Sequence, residues 1–209
     1  MSARILALLS ALLLVAGCAT VEIRDSRTLT GRVVDEAGAP VDHCPVLVVG
    51  RSLSFQPTRL EYAETAQHAA RTTTDADGRY ALHFVPATLG NNLTLFFYDR
   101  TGFDTVRYRT PEPVDLTARL REARVVVVDQ ILLASPTWPE VVREIAFYGA
   151  DSDRGRILRR HGLPETRARS TDPGGAAEVW GYQAQGVSYR FAGDRLVQTQ
   201  TFAPSPPAP

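Results

Sequence analysis

The segment that decides the fold is TTTDADGRYALHFV at residues 72–85. Three threonines lead into Asp75–Gly78, after which Tyr80, Leu82 and Phe84 alternate with more polar residues. Alternation with a period of two is typical of a strand that has one face in a core, and the Asp-x-Asp-Gly sequence before it is typical of a tight turn. The segment therefore predicts a β-hairpin whose second strand packs on a hydrophobic core.

The same pattern occurs earlier in the chain. Leu29–Asp35 reads as a strand, and the turn residues that follow include Gly38, which can adopt positive φ, and Pro40, which fixes φ before the next strand. Four further strands are predicted, at Pro45–Gly50, Leu93–Tyr98, Phe103–Arg109 and Val125–Leu133. The chain is therefore expected to be mainly β.

Five motifs in this order resemble carboxypeptidase regulatory-like domains: TGRVVD at 30–35, GAPV at 38–41, TDADGRY at 74–80, VP at 85–86 and GF at 102–103. The resemblance implies a seven-stranded, transthyretin-like β-sandwich over residues 28–133, of a kind that carries no catalytic residues of its own. The segment Ser52–Arg71 is longer than the usual link in such domains, so we expect it to form an excursion at one end of the sandwich.

The amino-terminal sequence predicts export. Ile5–Val15 is apolar except for Ser10, and this run is about half the length that crosses a bilayer. Val15-Ala16-Gly17-Cys18 resembles the lipobox of bacterial lipoproteins, in which the Cys is acylated and the signal is cut directly before it. The resemblance implies a signal peptide at 1–17, cleavage between Gly17 and Cys18, lipidation of Cys18 and a tether at 18–27. The alternative is a soluble export signal with an incidental Cys.

The residue after Cys18 indicates the membrane. In the lipoprotein family an Asp at that place often marks retention in the inner membrane, and here it is Ala19. We therefore expect a lipid-anchored protein of the outer membrane that faces the periplasm. Two or three acyl chains would make the attachment effectively permanent, since each buried methylene contributes about 0.8 kcal/mol.

Residues 134–202 are expected to form a small α+β unit. Pro139–Phe147 predicts a short helix, although Glu144–Tyr148 also alternates like a strand, and Asp151-Ser152-Asp153 predicts the start of a helix over Arg154–His161. Gly162 and Pro164 would end that helix. A three-stranded meander is then predicted at Ala177–Gln183, Val187–Phe191 and Leu196–Phe202, followed by a disordered Pro-rich tail at 203–209.

Four short motifs in this region resemble the SmpA/OmlA (BamE-type) outer-membrane lipoproteins: HGLP at 161–164, EVWGY at 178–182, YRF at 189–191 and GDRLV at 193–197. This resemblance implies an accessory role in the assembly of outer-membrane β-barrels. It also implies that Trp180 and Tyr182 are core or rim residues of the meander rather than cofactor ligands.

The composition excludes several classes of function. The 23 basic and 23 acidic residues cancel, so no overall field attracts nucleic acid. Every basic residue is Arg, which leaves no Lys for a Schiff base, a phosphate loop or a general base. With Cys18 acylated, only Cys44 remains, and no intramolecular disulfide can form.

Candidate metal sites are weak in this sequence. Asp75-x-Asp77-Gly78 is similar to the start of a calcium loop, but the position that requires a bidentate Glu falls on Phe84 or Pro86. The remaining candidates are His43 beside Cys44 and the scattered His68, His83 and His161, which have no paired spacing. We therefore expect no metal and no cofactor.

Candidate catalytic and ligand-contacting residues are also few. Cys44 could act as a nucleophile with one of the His residues, but burial as a small apolar side chain is the favoured interpretation. Gly186-Val187-Ser188 lacks the nucleophile-elbow pattern and lies in a predicted strand. Four aromatic residues could form a platform for a sugar or peptide, or pack in the core: Tyr62, Phe97, Tyr98 and Tyr108.

Together these features predict a membrane-anchored, non-catalytic cell-envelope lipoprotein that acts as a binding or structural module. Its partner would be an envelope protein or a polysaccharide. The alternatives are an accessory of outer-membrane assembly and a glycan-binding lipoprotein.

Overall fold

The computed structural model describes residues 23–56, 58–172 and 175–205. The predicted signal peptide, Cys18 and the end of the Pro-rich tail lie outside these ranges. The chain is mainly β and divides into two compact units. The first unit contains the described residues up to Phe103 and, after a gap, Thr110–Leu132. The second unit contains Asp104–Arg109 and the described residues from Leu133 onward.

The described part of the first unit contains eight strands and two short helices. They are β1 (Arg27–Asp35), β2 (Pro45–Gln56), β3 (Glu61–Thr73), β4 (Arg79–Phe84), α1 (Pro86–Leu89), β5 (Asn92–Phe96), β6 (Val114–Asp115), α2 (Thr117–Glu122), β7 (Val125–Val127) and β8 (Gln130–Leu132). In one sheet β1 lies antiparallel to β4 and parallel to β7 and β8. The other sheet has the order β3-β2-β5-β6.

The core of this unit is formed by the alternate residues of the predicted strands. Leu29, Val33 and Val48 are inaccessible to solvent. In β4 buried and exposed residues alternate strictly, with Tyr80 and the apolar residues after it on the buried face. The strand and its inward face are therefore confirmed. The Tyr80 hydroxyl donates to the Val128 carbonyl at 2.7 Å, which satisfies the phenol inside the core.

Both predicted turns have the same construction. The Asp75 carboxylate accepts from the backbone N–H groups of Asp77 at 3.0 Å and Arg79 at 2.8 Å, and Gly78 has φ of 72°. Asp35 does the same for Ala37 and Ala39, at 3.0 and 2.9 Å, and there Gly38 has φ of 80°. Each Asp side chain thus stabilises a turn that only Gly enters without strain.

Two strand predictions in this region are wrong in detail. Phe103–Arg109 forms turns instead of a strand, because the Asp104 carboxylate accepts from the N–H groups of Val106 and Arg107, at 3.1 and 3.0 Å. Val125–Leu133 is interrupted after β7. At the interruption Val128 O lies so near Gly31 that a Cβ there would sit 2.0 Å from it.

Part of the segment Ser52–Arg71 extends beyond the rest of its sheet, so the predicted excursion takes the form of paired strands. The segment belongs to a long hairpin in which β2 and β3 pair from Pro45↔Thr73 to Gln56↔Glu61. β5 accompanies β2 only from Leu47 to Arg51, so the far part of the hairpin is a two-stranded ribbon. Sequence analysis did not predict these strands, although Leu53 and Phe55 alternate with polar residues in SLSFQ at 52–56.

The second unit has two helices and a meander. They are α3 (Trp138–Tyr148), α4 (Asp153–His161), β9 (Thr166–Asp172), β10 (Gly175–Tyr182), β11 (Val187–Ala192) and β12 (Arg195–Thr201). Both predicted helices are confirmed, and α3 forms where a strand was the alternative. The meander has four antiparallel strands in chain order, so the three-stranded prediction is wrong. β9 escaped prediction because its sequence, TRARSTD, has no apolar alternation.

Caps and tight packing hold the helices of this unit. The Ser152 hydroxyl accepts from Gly155 N at 2.9 Å and so caps α4, while Gly162 ends the helix with φ of 80°. A Cβ on Gly155 would lie 2.1 Å from Gly149 O, so this helical turn approaches the preceding loop closely. The core contains Val141 and Leu158 from the helices and, from the meander, Trp180, Tyr182 and Phe191.

Candidate functional site

The predicted lipidation and cleavage residues, Cys18 and Gly17, lie outside the described residues. Just after them the chain is already bound to the first unit. Ile23 O accepts from Ala87 N at 3.0 Å, and the Arg27 guanidinium donates to Leu120 O at 2.9 Å. Arg27 is 8% exposed and begins β1, so the end of the predicted tether at 18–27 is part of the folded unit.

Cys44 is buried among backbone carbonyls. Its Sγ lies 3.6 Å from Phe97 O and 3.7 Å from Pro45 O, and the residue is 4% exposed. Burial and the nearby Asp99 carboxylate raise the pKa of the Cys44 thiol to about 12. A thiol nucleophile works as the thiolate, so these surroundings oppose a nucleophilic role and fit a small core side chain.

The histidines do not converge. The His43 ring is exposed and pairs with Asp42 at 2.7 Å, and His83 contacts the Thr28 hydroxyl at 3.0 Å. His68 lies on β3, and His161 lies in the second unit. Within residues 23–56, 58–172 and 175–205, no three His, Cys, Asp or Glu side chains are grouped as metal ligands.

The four aromatic candidates do not form one platform. Phe97 is 1% exposed and contacts Tyr80 edge to face, with ring centroids 5.7 Å apart. Tyr108 is buried in the second unit, and Tyr98 is half-buried against Phe103. The Tyr62 side chain lies outside what the structure describes. Phe97 and Tyr108 are therefore core residues and offer no face to a ligand.

The Gly-x-Ser candidate is placed in a strand, as expected. Gly186 takes the left-handed conformation with φ of 65°, and Val187 and Ser188 begin β11. Ser188 lies opposite Gly181 of β10, in a regular antiparallel pair. This is strand geometry, without the sharp strand-to-helix turn that exposes a nucleophilic serine.

The most elaborate polar arrangement in the described chain surrounds Arg154 on α4. Its guanidinium donates to Glu178 at 3.1 Å and to Asp194 at 3.2 Å. The guanidinium carbon lies 4.5 Å from the centre of the Phe191 ring and 5.8 Å from that of Trp180. Arg154 is 6% exposed, and among the described residues its Nε has no hydrogen-bond partner, so these contacts offset part of the hydration that a buried cation loses.

The same arrangement orders the meander. The Trp180 indole N–H donates to Glu178 at 3.0 Å, and Asp153 accepts from Leu196 N at 2.8 Å. One end of α4 is thereby joined to β10 and to the start of β12. Sequence analysis missed Arg154 because arginines are usually exposed and because its partners lie 24 and 40 residues away.

A second cluster surrounds His161 at the other end of α4. His161 Nε2 lies 2.8 Å from the Tyr189 hydroxyl, and Nδ1 contacts the Gln185 amide oxygen. Burial lowers the pKa of His161, so the neutral ring is favoured. The nearby Tyr182 hydroxyl donates to Gly162 O at 3.1 Å, and burial raises its pKa. The cluster joins α4 to the meander. Because Tyr189 is only 8% exposed, the cluster presents little reactive surface.

Exposed apolar side chains occur at one edge of the first unit. Val125, Val127 and Ile131 are each more than half exposed, while the adjacent Val126 and Leu132 are buried. No helix of the described chain is both long and apolar enough to span a membrane.

No family model and no curated protein sequence matches the chain. Similar solved structures include a streptococcal ancillary pilin, with 14% identity over 53% of this chain and 33% of the pilin, at a TM-score of 0.31. Another is 3-chlorocatechol 1,2-dioxygenase from Rhodococcus opacus, with 15% identity over 55% of this chain and 61% of the enzyme, at a TM-score of 0.32.

A third is the C-terminal domain of a shaft pilin from Lactobacillus rhamnosus GG, with 12% identity over 54% of this chain and 98% of that domain, at a TM-score of 0.30. The chain spans a third of the ancillary pilin and about three fifths of the dioxygenase. All three likenesses fall at TM-scores too low to support an argument about function.

Proposed function

We propose that the protein is a cell-envelope lipoprotein, anchored through acylated Cys18 to the outer membrane and facing the periplasm. Its two units act by binding or support, without catalysis. The observation that carries the proposal is the sequence from Ile5 to Cys18, where an apolar run ends in Val-Ala-Gly-Cys. The first unit is proposed to be a transthyretin-like sandwich of the carboxypeptidase regulatory-like kind.

The contacts at the start of the described chain support a short anchor. Ile23 is already hydrogen-bonded to Ala87, five residues after Cys18. An extended chain spans at most about 3.6 Å per residue, so these five steps reach ~18 Å. An acylated Cys18 would thus hold Ile23 within about four strand spacings of the lipid surface, at 4.7–4.9 Å per spacing. The surface of the first unit would meet only partners in or near that membrane.

The anchor is tested by metabolic labelling with radioactive palmitate. The wild-type protein should incorporate label and sediment with the outer membrane, whereas Cys18→Ala should do neither. Cys44→Ala is the matched control, because it removes the other thiol and should leave labelling unchanged. Equal labelling of wild type and Cys18→Ala would reject the proposal.

A second candidate function is an accessory role in outer-membrane barrel assembly. It is favoured by the second unit, in which two helices and a β-meander form a compact structure with its own core around Trp180. Crosslinking and pull-down from native membranes should then recover the barrel-assembly machinery. Its clean absence would favour a free-standing binding module.

Glycan binding is the weaker alternative. Phe97 and Tyr108 are buried, so two of the four aromatic residues that would contact a sugar are removed from the surface. Half-buried Tyr98 remains, and retention on a peptidoglycan column that Tyr98→Ala abolishes would revive this function. No retention of the wild type would end it.

A further inference from the structure

The edges of the two sheets in the first unit differ in how they are protected. β6 has two residues, and β7 and β8 have three each. Side chains also cover this last edge, because Arg119 donates to Val127 O and Gln130 donates to Ile131 O, both at 2.7 Å. Short strands and covered carbonyls are the means by which proteins prevent an edge from pairing with another chain.

β3 is longer and has less of this protection, which is limited to a register shift at which Thr65 has no partner in β2. It has thirteen residues, which makes it the longest edge strand in the described chain, and in that part of the chain it pairs only with β2. Its central stretch, Thr65–Ala70, reads TAQHAA and contains no Pro, Lys or Arg. A long edge with small residues and few charges is a template for another strand.

The hydrogen bonds at the end of β3 show which backbone groups face outward. Thr74 N donates to Cys44 O and Thr74 O accepts from His43 N, both at 3.1 Å, so the polar groups of Thr74 face β2. Backbone direction alternates along a strand, so Ala70 also faces β2. Gln67, Ala69 and Arg71 therefore direct their N–H and C=O groups away from β2, and their side chains are exposed.

The charges of β3 indicate the occupant. The first half of the strand carries Glu61 and Glu64, and the second half carries Arg71. A second β3 laid antiparallel would bring the acidic half of each strand beside the Arg71 of the other, and opposite charges across strands are stabilising. A parallel arrangement would oppose like charges.

We propose that β3 pairs antiparallel with β3 of a second copy of this chain, about a two-fold axis near the strand centre. The two four-stranded sheets would then join into one continuous sheet, and the same edge would serve both copies. The pairing goes beyond anchoring and does not require it. Where Cys18 is acylated, however, confinement to one membrane would raise the local concentration and favour the pair.

A cysteine scan of the full-length protein in native membranes tests this pairing. In a Cys44→Ala background, single substitutions to Cys at 66, 67, 68, 69 and 70 are oxidised mildly and the disulfide-linked dimer is measured. The dimer should be maximal at one position and decline on both sides, because only Cβ atoms about 3.5–4.5 Å apart are readily linked. Thr199→Cys on β12, the exposed edge strand of the second unit, is the matched control and should link weakly.

Uniform linking at all positions and at the control would mean random collision, and no linking at any position would mean no pairing. Either result overturns the proposal, as does a link to a different protein. A pair of prolines separates pairing from folding. Added to the Cys variant at 66, 67, 68 or 70 that links best, Ala69→Pro removes an outward N–H and should abolish the crosslink with little change in the circular dichroism spectrum.

Ala70→Pro should instead lower the thermal midpoint, because it removes a hydrogen bond between β3 and β2. If the Cys variant forms as much crosslinked dimer with Ala69→Pro as without it, β3 is not the interface. If Ala69→Pro also unfolds the protein, the cysteine scan still decides, since its substitutions keep every backbone N–H.

Discussion

Two glycines with the same backbone conformation should respond very differently to substitution by Ala. Gly38 and Gly78 follow an Asp in matching turns and have φ of 80° and 72°. A Cβ on Gly38 meets nothing within 4 Å, whereas a Cβ on Gly78 would lie 2.3 Å from Val33 O. The pair therefore separates the cost of the left-handed conformation from the cost of a steric clash.

The magnitudes follow from the structure. Gly38→Ala should cost about 1 kcal/mol, the penalty of a left-handed L-residue. Gly78→Ala carries the same penalty and also displaces the Val33 carbonyl, which accepts from Val41 N at 3.1 Å, while Val33 N donates to Gly78 O at 2.8 Å. Losing these two hydrogen bonds adds about 1 kcal/mol each, for a total of about 3 kcal/mol.

The assay is urea unfolding of the detergent-solubilised protein followed by far-ultraviolet circular dichroism. Gly78→Ala should lower the free energy of unfolding about three times as much as Gly38→Ala. Equal losses in the two variants would refute the argument, because they would mean that β1 does not approach the Asp75 turn as described. No loss in either would mean that the turns do not require Gly.

Three further predictions concern buried polar groups. Arg154→Ala should destabilise the second unit by about 2–3 kcal/mol because the Glu178 carboxylate, which is 24% exposed, loses its cationic partner and keeps the Trp180 N–H. Asp194→Ala, at an exposed partner, should leave the urea midpoint nearly unchanged. Tryptophan fluorescence reports the unfolding of this unit, since both tryptophans lie in it. Equal losses of unfolding free energy in Arg154→Ala and Asp194→Ala would contradict the burial of Arg154. Burial lowers the pKa of His161, so the stability that its neutral ring contributes is present above the ordinary pKa of 6.5 and is lost as the pH falls below that value. His161→Gln should flatten the dependence of the free energy of unfolding on pH, and an unchanged dependence would contradict the prediction. At pH 8 a thiol reagent should modify Cys44 about a thousandfold more slowly in the folded than in the unfolded protein, because its pKa is raised from 9.0 to about 12, and similar rates would contradict its burial.

The sequence predicted the local structure where local chemistry decides it. The Asp-x-x-Gly turns, the alternation in β4 and the Ser152 and Gly162 caps of α4 all depend on residues a few positions apart. β9 could not be predicted in this way. Its sequence, TRARSTD, has no apolar alternation, and it forms a strand because β10 supplies a partner along its whole length.

Long-range contacts account for the other differences. Phe103–Arg109 has strand-like composition, but Asp104–Arg109 belongs to the second unit, where Tyr108 is buried and forms an isolated bridge with Ala134. Arg154 looks like a solvent-facing helical residue until Glu178 and the aromatic rings meet it across the fold. Its contacts depend on tertiary structure, and neither residue type nor spacing along the chain indicates them.

The lipid anchor can be read directly from the intact mass of the protein extracted from outer membranes. The mature chain should begin at Cys18 and carry the added mass of fatty acyl groups on that residue, with Cys44 unmodified. A processed chain recovered from the soluble periplasmic fraction with an unmodified Cys18 would contradict the proposed anchor.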